Sequence, residues 1–343
     1  MKKFLFFILL SLSCSLFADR LIKDQNGRDV VLPDEVNRIV VLQHQSLNVL
    51  VQLDALSKVV GVLESWEKNL GKNYVRLASA LKDMPTPGDL KSINYEQILA
   101  LKPDVVIVAN YIPKEFIDKL SELKIPVVAM SFFKDNINAQ NSLNPEFKNF
   151  SDEINAYTNG LYEGILLLGS IANKEQNAQN LVDYVKEKQK LLKTYTDKIK
   201  GAKTRLYMAN PDFNTYGSGK YTSIIFARAG GENVAAKDIK GYKQVGPENL
   251  ISWDPDVIFV QERYPQVIDE LKQNELLKGL KAIKNDKVYL MPEYAKAWGF
   301  PTPEAMALGE FWVLKKLYPE LGKDIDLDAF VDEYYLKFYR VKN

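Results

Sequence analysis

The stretch NYEQILALKPDVVIV, residues 94–108, decides the fold class, because GPENLISWDPDVIFV, residues 246–260, repeats it without a gap 152 residues later. In each copy a short helical pattern is stopped by a proline, Pro103 or Pro255, which disfavours helix at the residue before it. An apolar run without polar alternation follows, which is typical of a parallel strand covered by helices on both faces. The repeat therefore predicts one helix-and-strand unit in each of two similar α/β lobes.

Length and composition agree with two ordinary globular lobes. The chain has 343 residues, and a chain of this length forms about two domains. Hydrophobic residues make up 46% and charged residues 26%, and the formal net charge is +1. This balance gives no electrostatic reason to expect nucleic acid or an anionic membrane surface as a partner. We expect a monomer.

The first 18 residues have the pattern of a secretory signal peptide. Two lysines precede an apolar stretch of nine residues, 4–12, which is too short to cross a bilayer. We predict cleavage after Ala18, which leaves a mature chain without cysteine in an oxidising compartment. The alternative is a lipid anchor at Cys14, although Ser11 stands where a lipidation signal would have leucine.

Strand-like and helical segments alternate along the rest of the chain, which predicts parallel sheets with right-handed crossovers. Asn26 and Gly27 indicate an opening hairpin, and a helix of the second half is predicted to end at Gly230 and Gly231. The predicted strands are 38–42, 59–63, 105–110 and 127–131 in the first lobe, and 205–209, 257–261 and 288–291 in the second.

Two helical segments, 152–171 and 175–199, separate the two sets of strands. The second has no Gly or Pro over 25 residues, so as a helix it would be roughly 37 Å long. We predict an N-terminal α/β lobe at 19–172, a rigid connecting helix at 173–201, and a C-terminal α/β lobe with closing helices at 202–343. The rigid helix should allow only a modest closure of the lobes.

Together these segments resemble the class III periplasmic substrate-binding proteins of ABC importers, which carry ferric siderophores, haem, vitamin B12 and related metal complexes. The resemblance rests on both copies of the repeat and on DQNGRDVVLPDEVNRIVVL (24–42), RAGGENVA (228–235) and PTPEAMALGEFWVLKKLYPE (301–320). It implies a ligand cleft between the lobes, a periplasmic location and a permease in the inner membrane as partner. It implies neither an enzyme nor a permanently bound cofactor.

Candidate ligand-binding residues follow the predicted strands, because ligands of open α/β sheets bind beyond the carboxyl ends of the strands. These positions are rich in aromatic side chains, which suit a large and partly apolar ligand. Arg263 and Lys220 could bind negatively charged groups of such a ligand. We predict ligand contacts from His44, Gln45, Trp66, Tyr111, Tyr216, Arg263, Tyr264 and Trp298. The wider set after the same strands comprises Gln43, Asn110, Phe132, Phe133, Asn210, Lys220, Glu262, Glu293 and Tyr294.

Each of these residues also has a purely structural interpretation. An aromatic residue at a strand end often caps the core. His44, the only histidine, would begin a helix as an ordinary polar residue. Alternatively, its neutral imidazole would complete the coordination sphere of a metal held by an incomplete chelate, which makes His44 the one candidate metal ligand.

Glu96 and Glu248 occupy the same position in the two copies of the repeat. A carboxylate in the first turn of a helix stabilises that helix by about 0.3 to 1 kcal/mol, which needs no partner. The resemblance implies a second role, because in this family a glutamate at this place in each lobe meets arginines of the membrane permease. We predict that both residues dock on the permease.

We predict the capture of a metal complex, most simply of the iron–siderophore type, and its delivery to a permease. Another metal chelate, a corrinoid, haem and an oxyanion such as molybdate remain alternatives. Glu304, where many relatives have a basic residue, argues against an oxyanion. A periplasmic enzyme acting in the cleft is disfavoured because the familiar catalytic motifs are missing. A receptor for free zinc or manganese would need several histidines and carboxylates.

Overall fold

The structure, a computed structural model, describes residues 19–134, 143–295 and 299–342. Its first part contains β1 (Asp19–Lys23), β2 (Asp29–Pro33), β3 (Ile39–Val41), α1 (His44–Gln52), β4 (Val59–Val62), α2 (Trp66–Leu70), β5 (Gly88–Asp89), β6 (Ser92–Ile93), α3 (Tyr95–Leu101), β7 (Val105–Ala109), α4 (Lys114–Glu122) and β8 (Val127–Met130). Two long helices follow, α5 (Phe150–Ile171) and α6 (Glu175–Thr196).

The second part repeats this plan and ends in helices. It contains β9 (Thr204–Ala209), β10 (Asn214–Tyr216), α7 (Tyr221–Arg228), β11 (Gly231–Asn233), β12 (Tyr242–Gln244), α8 (Pro247–Trp253), β13 (Val257–Val260), α9 (Gln266–Gln273), α10 (Lys281–Lys284), β14 (Val288–Leu290), α11 (Glu310–Leu317) and α12 (Leu327–Tyr334). π-Helical turns at Ala305–Gly309 and Tyr335–Tyr339 precede α11 and follow α12.

Two four-stranded parallel sheets form the centres of the two lobes. Their strand orders are β4-β3-β7-β8 and β11-β9-β13-β14, so each sheet has the same topology. The repeated segments supply β7 and β13, the third strand along each sheet. All four strands of each sheet run parallel. The predicted α/β fold with two similar lobes is therefore confirmed, and each predicted strand overlaps an observed one.

The repeated aspartates bind the repeat unit to the first strand of its own sheet. Asp104 Oδ2 accepts hydrogen bonds from the backbone N–H groups of Asn37, at 2.7 Å, and Arg38, at 2.8 Å. Asp256 Oδ2 accepts the corresponding bond from the backbone of Arg205 at 2.9 Å. The repeat unit thus makes the same connection in both sheets, between the third strand and the start of the first.

The matching arginines complete this connection from the opposite direction. Arg38 Nη2 donates to the carbonyl of Leu101 at 2.7 Å, and Arg205 Nη2 donates to the carbonyl of Trp253 at 2.5 Å. Both carbonyls belong to the last residue of a helix, α3 or α8, where backbone acceptors lack partners inside the helix. Cations at such C-termini also interact favourably with the helix dipole.

The link between the lobes contains α5 and α6, which pack against each other along their length. At their turn, a Cβ on Gly169 would lie 2.4 Å from the Cβ of Ala178, so only glycine permits this close approach. Helix α6 begins at Glu175 as predicted but ends at Thr196, three residues early, which gives 22 residues and about 33 Å. The use of this helix as a rigid connection between lobes stays a prediction.

The carboxylate of Glu310 joins α6, α7 and α11 inside the core. It is completely buried and accepts hydrogen bonds from the hydroxyl of Tyr221 at 2.7 Å and from Gln189 Nε2 at 2.7 Å. It also forms an ion pair with Arg228 at 3.2 Å. A buried charge that is paired and hydrogen-bonded on both oxygens fixes how these three helices pack.

Candidate functional site

Two residues that shortly follow the repeated segments lie at or beside one cavity between the lobes. Tyr111 follows β7 and Arg263 follows β13, and the same 152 residues separate them. Arg263 Nη1 donates to the carbonyl of Asn69 in the first lobe at 3.3 Å. Asn69 and Tyr111 line one cavity of about 530 Å³. The duplication therefore brings equivalent positions of the two sheets to one cleft.

The guanidinium of Arg263 is held by its own lobe. Its Nε and Nη2 donate to Gln261 Oε1 at 3.0 and 2.8 Å, and its central carbon lies 5.3 Å from the ring centre of Tyr264. Gln261 Nε2 in turn approaches the hydroxyl of Tyr216 at 3.4 Å. Three predicted ligand residues, Tyr216, Arg263 and Tyr264, are thus brought together at the end of β13.

The tyrosines of the cleft are hydrogen-bond donors at physiological pH. Burial raises the pKa of the Tyr216 hydroxyl, and it raises the pKa of Tyr111 to about 12. The ring of Tyr216 packs on Tyr242, with 4.6 Å between centroids. Both phenols of Tyr111 and Tyr216 therefore keep their protons and can donate to an acceptor.

Lys220 is a buried cation beside the same cavity. It is the residue that precedes α7, and it is only 3% exposed. Its Nζ donates to the carbonyl of Leu143, which also lines the cavity. The ammonium lies 4.8 Å from the ring centre of Phe300. Burial lowers the pKa of Lys220 to about 8. Within residues 19–134, 143–295 and 299–342 it forms no ion pair with a carboxylate.

The sequence placed Lys220 only in the wider candidate set, because a lysine before a helix gives no sign of being buried. Its environment is made by distant segments, since Leu143 and Phe300 lie 77 and 80 residues away. Gly299 contributes as well, because a Cβ there would lie 3.1 Å from Lys220 Cδ and 3.4 Å from Tyr216 Cε1. We name Tyr111, Tyr216, Lys220, Arg263 and Tyr264 the cleft cluster.

A cluster of three aromatic side chains packs Phe133 of the first lobe against Phe300 of the second. Phe133, which follows β8, stacks on Phe300 with 6.3 Å between centroids and 21° between planes. Tyr157 of α5 meets both rings edge-on, at 5.9 and 6.3 Å. Gly160 lets α5 approach this closely, because a Cβ there would lie 2.2 Å from the Cα of Phe133. Phe132 and Phe133 are both buried.

The remaining predicted ligand residues are buried, half-buried or outside the described residues. Trp66 begins α2 and is packed into the main hydrophobic core, so the structural interpretation fits its position. His44 is the half-buried first residue of α1, and Gln45 beside it is buried. Trp298 lies outside the described residues. Their contacts with a ligand stay predictions.

Metal binding by His44 has no support from neighbouring side chains. Among the described residues, no group of three or more histidine, cysteine, aspartate or glutamate side chains is arranged to hold a metal ion. A single histidine completing the coordination of a chelated metal is a different arrangement, and for His44 it stays a prediction.

Glu304, which argued against an anionic ligand, is engaged elsewhere. The residue is completely buried, and its carboxylate accepts hydrogen bonds from Asn48 Nδ2 at 2.9 Å, Gln52 Nε2 at 3.1 Å and the Tyr339 hydroxyl at 3.0 Å. These donors lie on α1 and in the C-terminal π-helical turn. Its carboxylate is therefore engaged by donors of the protein itself, which weakens the objection drawn from the sequence.

Glu96 and Glu248 occupy equivalent and exposed positions in the structure. Each is the second residue of its helix, α3 or α8. The carboxylate of Glu248 folds over the helix start, since a Cβ on Gly246 would lie 2.1 Å from its Oε1. Asn94 caps α3 by accepting from the backbone of Gln97 at 3.1 Å. Both carboxylates interact favourably with the dipoles of their helices, and both are exposed to solvent and accessible to a partner.

Comparison with known families matches residues 39–295 to the family described as periplasmic binding protein. The chain therefore belongs to the periplasmic binding proteins, and its two-lobed α/β fold is that of their class III members. It is the periplasmic binding component of an ABC importer. No helix in the described part of the chain combines the length and apolar character that a membrane span requires.

Particular relatives are similar over nearly the whole chain. The molybdate-binding protein MolA of Haemophilus influenzae is 52% identical over 334 residues, which cover 97% of this chain and 94% of that protein. The structure of MolA bound to molybdate matches with a TM-score of 0.91 and 51% identity, over 95% of this chain and 99% of that one. The Fe(3+)-citrate-binding protein YfmC of Bacillus subtilis is 26% identical over 303 residues, 87% of this chain and 86% of that protein.

Proposed function

We propose that the protein captures a tetrahedral oxyanion of the molybdate type in the cleft and delivers it to an ABC permease of the inner membrane. The observation that carries this proposal is the buried ammonium of Lys220, which has no carboxylate partner among the described residues. Burying an unpaired charge is costly, and an anion bound beside it would offset that cost. The cleft is therefore complementary to a negative ligand.

The other members of the cleft cluster supply donors of the same kind. Arg263 has a planar guanidinium that carries only donors, and Tyr111 and Tyr216 keep their phenolic protons. A fully deprotonated oxyanion only accepts hydrogen bonds, so a set made of donors favours it over a protonated or neutral solute. Buried polar groups also discriminate against a ligand that cannot hydrogen-bond to them, because such a ligand would leave them unpaired.

The expectation of an iron–siderophore cargo lacks this support. The relative named for a ferric ligand is 26% identical, whereas the relative named for molybdate is 52% identical over nearly the whole chain. We therefore place the oxyanion, which the sequence left as an alternative, before the metal chelates. An enzyme acting in the cleft has no observation in its favour.

A thermal-shift and calorimetry panel tests the proposed ligand. Purified protein is measured with molybdate, tungstate, sulfate and ferric citrate at equal concentrations. A ligand in thousandfold excess over its Kd stabilises the folded protein by about 4 kcal/mol, which shifts the melting temperature clearly. We expect molybdate and tungstate to stabilise most. Stabilisation by ferric citrate without any by molybdate would refute the proposal.

Matched lysine variants locate the binding. Lys220→Gln removes the buried ammonium, while Lys237→Gln removes an exposed lysine that pairs only weakly, at 3.5 Å, with Glu232. We expect Lys220→Gln to lose molybdate affinity and Lys237→Gln to retain it. Equal affinities in both variants would remove Lys220 from the ligand site.

We further propose that Glu96 and Glu248 dock on the permease. Reversing both charges should abolish uptake and leave molybdate affinity nearly unchanged, because the reversal adds repulsion at two docking points. Glu115→Lys is the matched control, since Glu115 also lies exposed in the first turn of a helix, α4, but outside the repeat. Normal uptake by the double variant would leave only the helix-dipole role.

A further inference from the structure

Leu99 and Ile251 are large apolar side chains that the fold leaves in solvent. Leu99 is 45% exposed on α3, and Ile251 is 48% exposed on α8. They are separated by the same 152 residues as the two copies of the repeat, so they occupy equivalent positions in the two lobes. A single exposed leucine is ordinary on a protein surface. Its recurrence at the equivalent position of the second lobe indicates a shared role.

The two helices that carry these side chains have the same backbone form. Each has seven residues, and each ends at a residue of left-handed conformation, Lys102 with a φ of +45° or Asp254 with a φ of +38°. Leu99 and Ile251 are each the fifth residue of their helix. The two positions are therefore equivalent in the structure as well as in the sequence.

Packing of the helices on their sheets does not account for these side chains. The residue before each of them, Ile98 or Leu250, is completely buried and supplies the apolar contact of the helix with its lobe. Leu99 and Ile251 lie about 100° further round the helix and remain exposed to water. Folding therefore leaves about half of each apolar side chain available to a partner.

Each apolar side chain lies beside one of the two glutamates that are proposed to dock on the permease. Glu96 precedes Leu99 by three residues, and Glu248 precedes Ile251 by three residues. Residues three apart lie on the same face of a helix, with about 5 to 6 Å between their Cβ atoms. Each lobe thus presents an acidic group and an apolar group side by side. We name Glu96 with Leu99, and Glu248 with Ile251, the docking pairs.

We propose that Leu99 and Ile251 are apolar anchors, each of which enters an apolar recess of the permease beside the basic group that meets the neighbouring glutamate. The inference rests on the proposed docking role of Glu96 and Glu248. It adds to that role the residues that hold the complex together. Exposed charges mainly speed association, whereas a side chain buried in a fitting recess contributes affinity.

The permease is the partner that fits both docking pairs. The protein is the periplasmic binding component of an ABC importer, so delivery requires contact with the membrane part of that importer. Equivalent positions on two similar lobes suit a partner with two equivalent surfaces. An apolar anchor beside a charge also matches the usual order of an interface, with an apolar core and a polar rim. A second copy of this chain fits less well, because it would bring like charges together.

Binding to the permease complex of the importer, reconstituted in nanodiscs, tests the inference without depending on the identity of the ligand. Leu99→Gln with Ile251→Gln keeps side chains of similar size and good helix propensity but removes the apolar surface. We expect the affinity to fall about threefold to tenfold for each substitution, because about half of each side chain is left for burial. The two losses should multiply to about ten- to hundredfold, since the sites lie on different lobes.

Salt separates the contribution of the apolar anchors from that of the glutamates. Exposed charges are screened at high ionic strength, whereas the burial of apolar surface is not weakened. Leu99→Gln with Ile251→Gln should therefore lose affinity by the same factor at about 0.05 M and at about 0.5 M salt. Glu96→Lys with Glu248→Lys should lose more at the lower concentration than at the higher one.

Two further double variants are controls. Leu99→Met with Ile251→Met retains apolar surface and should bind within about threefold of the unaltered protein. Leu276→Gln with Leu336→Gln removes two leucines outside the repeat that are 66% and 61% exposed, and it should bind as the unaltered protein does. Circular dichroism checks that each variant is folded. If a double variant is unstable, the single variants Leu99→Gln and Ile251→Gln make the same test on one lobe at a time.

The outcomes distinguish this inference from the proposed docking itself. If Glu96→Lys with Glu248→Lys binds the permease complex normally, the proposed docking surface fails and the inference fails with it. If that variant loses binding but Leu99→Gln with Ile251→Gln keeps it at both salt concentrations, only the apolar anchors are overturned. An equal loss in the control that changes Leu276 and Leu336 would also overturn them, because the effect would then not be specific to the docking pairs.

Discussion

Replacing Lys220 by methionine should make the ligand-free protein more stable while removing its ligand affinity. Methionine has a similar length and carries no charge. The unfolded chain holds the lysine proton up to a pKa of 10.5, whereas the folded chain holds it only up to about 8. The difference between these two pKa values corresponds to about 3 kcal/mol of folding free energy lost at neutral pH. Loss of the hydrogen bond to Leu143 and of the contact with Phe300 offsets about 1 to 2 kcal/mol of the gain.

The effect of Lys220→Met on the free energy of unfolding depends on pH. Because the folded pKa of Lys220 is depressed, the unfolded state binds more protons between about pH 8 and pH 10.5. The destabilisation caused by burying the Lys220 charge therefore shrinks across that window and is absent above it. The stability advantage of Lys220→Met should be full below about pH 8 and should shrink towards about pH 10.

Urea unfolding of both proteins without ligand measures the effect. We expect Lys220→Met to raise the free energy of unfolding by about 1 to 2 kcal/mol near pH 7. The slope of this free energy against urea concentration should stay unchanged. Molybdate should then stabilise the unaltered protein and leave the variant unaffected. A variant that is less stable at neutral pH, or that still binds molybdate, would refute the view that Lys220 is a buried cation without a carboxylate partner that binds the anionic ligand.

Three further perturbations test the framework around the site. Glu310→Gln should lower the free energy of unfolding, measured by chemical denaturation, by about 3 kcal/mol, because it leaves Arg228 buried without its ion-pair partner. A loss below about 1 kcal/mol would show that the ion pair is dispensable. Gly160→Ala should destabilise by about 1 to 3 kcal/mol, because the new Cβ meets the backbone of Phe133, whereas Gly279→Ala, which meets nothing within 4 Å, should have little effect. Small-angle scattering should record only a modest change in radius of gyration when molybdate binds, since α6 contains no Gly or Pro; a large change would contradict a rigid connection.

The sequence determined the fold class through patterns that act locally. A proline after a helical pattern and before an apolar run specifies a helix end and a buried strand, whatever surrounds them. Two copies of this unit were enough to predict two similar sheets. The equal spacing of Tyr111 and Arg263 likewise followed from the repeat, since both positions follow the third strand of a sheet. Asn26 and Gly27 correctly marked the hairpin of β1 and β2.

The helix boundaries and the aromatic candidates show where local patterns stop being sufficient. Helix propensity continues to residue 199, yet α6 ends at Thr196. Trp66 follows a strand as Tyr111 does, but it packs into the core while Tyr111 lines the cavity. Which side of a loop an aromatic ring occupies depends on the neighbouring elements, and these are distant in sequence.

Only the tertiary structure decided the electrostatics of the cleft. The carbonyl that accepts from the Lys220 ammonium and the ring that lies beside it come from Leu143 and Phe300, which are distant in sequence. A charge changes its pKa according to burial and partners, which arise when these segments pack together. Tertiary packing also changed the interpretation of Glu304, which argued against an anion in the sequence but whose carboxylate accepts hydrogen bonds from α1 and the C-terminal turn.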